Sequence, residues 1–253
     1  MNILVSNDDG IKSEAMKALV RELCKLGKVT VVAPNSQRSA FSHSMTIHGD
    51  LRAEKVDYPE GVEAWAIWGT PVDCVHIAMN TIIKEPLDLV VSGINQGPNL
   101  GTDIIYSGTI GAAREALIYG CPALAVSLDS YTSKDYEAAA VYAREVAAAF
   151  VKREDRFQYL LNLNIPVGEV RGLLVCDLQG HRSYDEGYQL VEKEDGHTYF
   201  MVGEGIITDE FDPDDLRYDI NAIAAGYATL TPLTLDQTSH AHVEAIREAF
   251  ERV

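Results

Sequence analysis

The sequence predicts an α/β fold: a doubly wound, mostly parallel, Rossmann-like sheet in three layers, carrying a C-terminal extension. Three observations support it. Short apolar runs alternate with segments of helical period between residues 3 and 178. The chain opens on a strand–helix–strand unit, a connection that is almost always parallel and right-handed. One apolar run, residues 87–91, feeds a glycine-rich polar segment, residues 92–113 (SGINQGPNLGTDIIYSGTIGAA), that leads into a helix.

The elements follow in order. Residues 3–6 are an apolar strand ended by Asn7-Asp8-Asp9-Gly10. The next helix carries Leu19, Leu23 and Leu26 on one face and stops at Gly27. Residues 29–33 form the second strand, closed by Pro34, and residues 35–48 are a polar loop without a clear period. Residues 62–68 read as a strand. Thr70-Pro71 then supplies an N-cap and a first-turn proline for a helix to Ile83 that turns Val72, Val75, Met79 and Ile82 inward. After the strand at 87–91 and a helix at 110–119, residues 123–128 form a strand, 136–150 an alanine-rich helix and 173–178 another strand. From about residue 180 the texture changes. Residues 189–191 and 198–202 flank Asp195-Gly196, a hairpin signal. Residues 209–219 are acidic and loop-like, 228–233 form a strand whose end Pro232 marks, and 236–253 form a helix with Val243, Ile246 and Phe250 on one face. The expected organisation is a catalytic core over residues 1–180. Over 181–253, a hairpin and helix extension packs on the core or on a neighbouring subunit.

Composition narrows the function. The formal charge of −17 argues against binding a nucleic-acid polymer or an anionic membrane, either of which needs a basic face. A small phosphate ligand stays open, because a metal ion or loop amides neutralise it locally. Cys24, Cys74, Cys121 and Cys176 are scattered through apolar runs without a CxxC, which reads as buried thiols in a reducing compartment. No leader-like segment precedes the first strand, and no apolar run reaches the roughly 18 residues of a membrane span. The expectation is a cytoplasmic soluble protein.

In an open α/β sheet, ligands bind beyond the carboxyl ends of the strands. Asp8 and Asp9 follow the first strand, and Asn95 and Asn99 follow the strand at 87–91, so both loops share one edge if those strands are parallel neighbours. Adjacent carboxylates are costly to hold together unless a cation joins them. With Asn95 and hydroxyls such as Ser39 the donors are all oxygen, which suits Mg²⁺, Mn²⁺ or Ca²⁺ rather than zinc. Ser107-Gly108-Thr109 opens a helix whose amides and hydroxyls can hold a phosphate. Plainer readings stand beside these: an N-cap and turn at Asp8-Asp9-Gly10, and an ordinary helix cap at Ser107. Neither a P-loop nor a G-x-G-x-x-G fingerprint after the first strand is present.

The NDDG at residues 7–10, the QRS ending at Ser39, the GTPVDCV at 69–75 and the SGINxGxNxGxDxxYSGT at 92–109 together resemble the survival protein E (SurE) family. The LNLNIP at 161–166 and TPL at 231–233 extend the resemblance over nearly the whole chain. It implies a divalent-metal-dependent phosphatase, a 5'-nucleotidase that hydrolyses nucleoside 5'- and 3'-monophosphates by metal-activated water, in some members also short polyphosphate. It implies one divalent ion, Mg²⁺ or Mn²⁺, held by Asp8, Asp9, Ser39 and Asn95, and a phosphate contacted by Asn99, Ser107, Gly108 and Thr109. Asp8 or Asp9 also orients or deprotonates the water. It further implies a homodimer or homotetramer using the C-terminal extension. The alternative is a metal-dependent nucleotide-binding or sensing protein without turnover. Two departures stand out: Ala40 follows Ser39 where the family usually has glycine, and Ser13-Glu14-Ala15 stands where it favours Ala-Pro-Gly. If residue 40 needs φ > 0, alanine strains the loop.

Overall fold

The computed structural model describes residues 1–178, 182–185, 187–192, 196–202, 206–209 and 214–250. Its strands are β1 (Asn2–Ser6), β2 (Lys28–Pro34), β3 (Ala53–Val56), β4 (Glu63–Ile67), β5 (Leu89–Gln96), β6 (Ala123–Leu128), β7 (Leu160–Ile165) and β8 (Leu173–Val175). Further on lie β9 (Arg182–Asp185), β10 (Tyr188–Glu192), β11 (Thr198–Val202), β12 (Ile206–Asp209) and β13 (Ala228–Leu233). The helices are α1 (Glu14–Leu23), α2 (Pro71–Ile77), α3 (Gly108–Ile118), α4 (Glu137–Phe150), α5 (Asp219–Ala224) and α6 (His240–Phe250).

The main sheet runs β3-β4-β2-β1-β5-β6-β7-β13-β8. From β4 through β7 every neighbouring pair is parallel. Numbered along the chain, those parallel strands take the order 3-2-1-4-5-6, the doubly wound arrangement in which direction reverses between β1 and β5. The strands are buried on both faces, as parallel sheets require. On one face Ile3, Val5 and Val31 pack with Met16, Leu19 and Leu23 of α1 and Ala140, Ala143 and Phe150 of α4. On the other, Leu4, Val32 and Val90 pack with Val75 of α2 and Ile110, Ala113 and Ala116 of α3. This is the three-layer fold expected.

Local chemistry explains the helix starts. Ser13 caps α1 by accepting from the Met16 N–H. Thr70 and Asp73 form a reciprocal capping box at α2, with Pro71 in the first turn. Ser107 caps α3 by accepting from the Ile110 N–H at 3.1 Å.

Several elements depart from the sequence expectation. The helix expected to reach Ile83 is α-helical only to Ile77 and finishes as a π turn over Ala78–Ile82. The strand after residue 87 starts at Leu89 and runs on to Gln96, into the glycine-rich segment. The strand expected over 173–178 stops at Val175. Four strands, β3, β7, β9 and β12, lie where the sequence reading places none. Pro232 sits inside β13, opposite Leu161, rather than at its end. It is tolerated because β8 pairs with β13 only from Ala228 to Leu230, so that edge is open at Pro232.

After β8 the chain leaves the sheet. It forms an antiparallel β9–β12 ladder and a β10–β11 hairpin, then returns as β13 between β7 and β8. The hairpin is the one expected at 189–202; of the expected elements, Asp195 of the turn signal, residues 210–213 of the acidic stretch and residues 251–253 of the last helix lie outside the described residues. No residue of α6 is buried. The four cysteines are free, and burial pushes the Cys121 and Cys176 thiols up to about 12 and about 11. Among the described residues, no helix is long and apolar enough to cross a membrane.

The closeness of β5 to β6 depends on Gly93, whose φ is +143° and whose Cβ, if present, would lie 2.4 Å from the Val126 carbonyl oxygen. Gly93→Ala is expected to cost about 3 kcal/mol or more, from backbone strain plus overpacking. Denaturant unfolding measures it; a loss below about 1 kcal/mol would contradict this packing.

Candidate functional site

The β1/β5 switch point gathers the chemistry. Asn7 is buried at the end of β1 and closes a turn: its Nδ2 donates to the Gly10 carbonyl, and its Oδ1 accepts from the Gly10 N–H. That turn presents Asp8 and Asp9 beyond the sheet edge. Asp8 is only 3% exposed. Its Oδ1 accepts from the Thr109 hydroxyl at 2.5 Å, so the carboxylate lies against the first turn of α3. A Cβ on Gly108 would come within 3.0 Å of the Asp8 Cβ, so glycine there allows the helix start to approach the carboxylate. Asp9 is half-buried, and its Oδ2 accepts from the Gln96 N–H at 3.1 Å.

Burial pushes the Asp8 carboxyl from 3.8 up to about 6; the Thr109 hydroxyl opposes that rise and the Asp9 charge adds to it. Burial also raises Asp9, against the Gln96 N–H and the Lys134 charge. Among the described residues neither aspartate forms an ion pair with a basic side chain, and no three His, Cys, Asp or Glu side chains gather to hold a metal. What is present is a carboxylate pair with amide and hydroxyl oxygens nearby. That donor set fits a hard divalent cation and not zinc.

The other expected residues take distinct positions. Asn95 is half-buried at the end of β5, and its Nδ2 donates to the Gly97 carbonyl at 2.8 Å, leaving Oδ1 as its second polar atom. Ser39 is exposed and its hydroxyl accepts from Gln37. It forms no direct bond to Asp8 or Asp9, but its segment is pinned beside them, because the Arg38 N–H donates to the Asp8 carbonyl at 2.6 Å. Asn99 is buried and holds the glycine loop to the sheet. Its N–H donates to Asn164 Oδ1, its Nδ2 to the Ser127 hydroxyl, and its carbonyl accepts from the Asn162 and Asn164 amides. Ser107, Gly108 and Thr109 form the cap and first turn of α3 as expected.

Sequence reasoning missed the side chains that fix the 35–48 loop. Glu115, buried on α3, takes His43 Nε2 at 2.9 Å and His76 Nδ1 at 3.2 Å. Asp73 accepts from the Thr46 N–H and hydroxyl, each at 2.8 Å. A Cβ on Gly111 would stand 2.5 Å from the Ser42 carbonyl oxygen, so the loop crosses α3 there. The Ala40 departure has the consequence anticipated: φ is 58° at Ala40, and 55° at Ser42.

A doubly wound α/β protein with a carboxylate pair and a helix start at its switch point carries polar groups where such folds bind ligands. Comparison makes this specific. The family model described as Survival protein SurE matches residues 3–186. The chain is 41% identical over 261 residues to the 5'-nucleotidase SurE of Clostridium beijerinckii, covering 100% of both. It is 39% identical over 254 residues to the 5'-nucleotidase SurE of a Synechococcus species, covering 98% of this chain and 96% of the relative. It matches the crystal structure of the SurE protein from Aquifex aeolicus with TM-score 0.84 at 32% identity, covering 98% of this chain and 99% of that one. The chain belongs to the survival protein SurE family.

Two outcomes follow from the geometry. The Asp8 carboxyl is higher in the folded state than its ordinary 3.8, so its contribution to stability is full below that value and is lost as pH rises through about 6. In EDTA at pH 7, Asp8→Asn keeps an acceptor for Thr109, removes the buried charge and raises stability by about 3 kcal/mol. Denaturant melts from pH 4 to 7 check both the gain and the flattened pH profile. Ala40→Gly relieves the left-handed alanine and stabilises by about 0.5–1 kcal/mol, read from the same melts; a loss would contradict the strained loop.

Proposed function

We propose that this chain is a 5'-nucleotidase, a phosphoric monoester hydrolase of nucleoside monophosphates that depends on one divalent ion, Mg²⁺ or Mn²⁺. The observation that carries the reading is the Asp8 carboxylate enclosed against the first turn of α3 with Asp9 beside it. Family membership and the names of the relatives support the same activity.

Asp8, Asp9, Asn95 and Ser39 supply the oxygen ligands. A divalent ion held by these residues would supply neutralisation of phosphoryl charge and easier ionisation of a nearby water. The α3 start at Ser107, Gly108 and Thr109 receives the phosphate, with N–H groups and the helix dipole favouring negative charge. We assign orientation and deprotonation of the water to Asp9, because Asp8 is enclosed and committed to Thr109. Asn99 holds the loop that carries these groups and borders the phosphate. Chemistry centred on the phosphoryl group extends to 3'-monophosphates and short polyphosphate, since it does not itself read a base.

The assembly we propose is a homodimer or homotetramer formed through residues 181–253. Tyr188, Leu190 and Phe200 share one exposed face of the β10–β11 hairpin, and a two-stranded ribbon is marginal alone. A second copy of the chain covering that face accounts for both.

Phosphate release from a nucleoside 5'-monophosphate with Mn²⁺ tests the activity. We expect turnover that EDTA abolishes and that Asp8→Asn reduces by about 10³-fold or more. Nucleotide binding without release would favour a sensing protein instead, and full activity in EDTA would remove the metal from the reading.

A further inference from the structure

The rim of the phosphate site carries large side chains that the chemistry above leaves unused. The 35–48 loop and the residues just before α3 meet there through backbone. The Ser42 N–H donates to the Tyr106 carbonyl at 2.9 Å, and the Ser42 hydroxyl donates to the Ile105 carbonyl at 2.6 Å. Tyr106 directly precedes Ser107, the cap of α3, and Phe41 directly precedes Ser42. Both aromatic residues are therefore fixed beside the helix start by pinned backbone. Their rings nonetheless face outward: Phe41 is 42% exposed and Tyr106 63%.

A cation lies against one of them, Phe41. The Arg38 guanidinium lies 5.6 Å from the Phe41 ring centroid, and its Nε is buried without a hydrogen-bond partner. The same residue's N–H is bonded to the Asp8 carbonyl, so the arginine stands between the carboxylate end and the aromatic rim. Rings held on rigid backbone beside a phosphate subsite, with a guanidinium across one of them, offer what a planar heteroaromatic group needs. They provide a π-face to stack on and a charge to complement its polar edge.

We infer that Phe41 and Tyr106, with Arg38, form the platform on which the nucleobase of the substrate stacks, making them specificity-determining residues. The inference rests on the nucleotidase reading, which it deepens. It assigns discrimination between nucleotides and plain phosphomonoesters to the rim, and hydrolysis to the residues at the switch point.

Steady-state kinetics with Mn²⁺, comparing a nucleoside 5'-monophosphate with glycerol 2-phosphate, test it. The ratio of kcat/KM for the two substrates is expected to fall at least about tenfold in Phe41→Ala and in Tyr106→Ala, with the change carried by the nucleotide's KM. Phe41→Trp should restore the ratio and Phe41→Leu should not, which separates stacking from apolar filling. A ratio within about twofold of the starting protein in both alanine variants would overturn the platform, as would equal rescue by leucine. If the unaltered protein hydrolyses neither ester, the hydrolase reading fails first. Calorimetry with the free nucleoside then decides the platform alone: weaker binding to Phe41→Ala supports it, and equal affinity overturns it.

Discussion

A carboxylate enclosed against the start of a helix is the constraint on which the rest of this structure depends. Asp8 is almost fully buried, beside a second acid, and its stabilising contacts are the Thr109 hydroxyl and the first turn of α3. Water would solvate that charge better than this pocket does. The fold tolerates the cost because hydrophobic packing on both sides of the sheet is extensive and local. A buried charge that is unfavourable on its own is a common way of trading stability for function.

Holding such a site takes a second set of buried polar groups, and these work on the loops rather than on the ligand. Asn162 and Asn164 on β7 clamp Asn99. Asp219 on α5 accepts from the Gly101 N–H at 2.8 Å. Glu115 and Asp73 do the same for the loop bearing Ser39. Buried polar networks of this kind rigidify loops that otherwise contribute little packing. Ala40 and Ser42, in left-handed backbone, show that the second loop is bent against its residues' preference and kept there by these anchors.

Much of this was legible in the sequence. The doubly wound class follows from alternating strands and helices. The NDDG and glycine-rich segments marked the two loops that share the switch point, and Ala40 was marked as a site of strain. What escaped has physical causes. In β7 the apolar run is broken by Asn162 and Asn164, whose side chains are buried because they bond the loop, a reason invisible without the loop's position. β3 is an exposed edge strand, AEKV, with no apolar face to give a period. Glu115 and His43 stand 72 positions apart, so no local pattern joins them. The sequence offers Ser107–Thr109 as a phosphate contact or a helix cap, and neither reading contains the bond from the Thr109 hydroxyl to Asp8. Thr109 reaches Asp8 because the helix start and the strand end are in contact.

The most direct test is whether the carboxylate pair binds the cation in the absence of substrate. Calorimetric titration of the metal-free protein with Mn²⁺ at neutral pH should show a single saturable site per chain. That site should be lost in Asp8→Asn and weakened in Asn95→Ala, while both variants remain folded. An unaltered Mn²⁺ isotherm in Asp8→Asn would contradict the account.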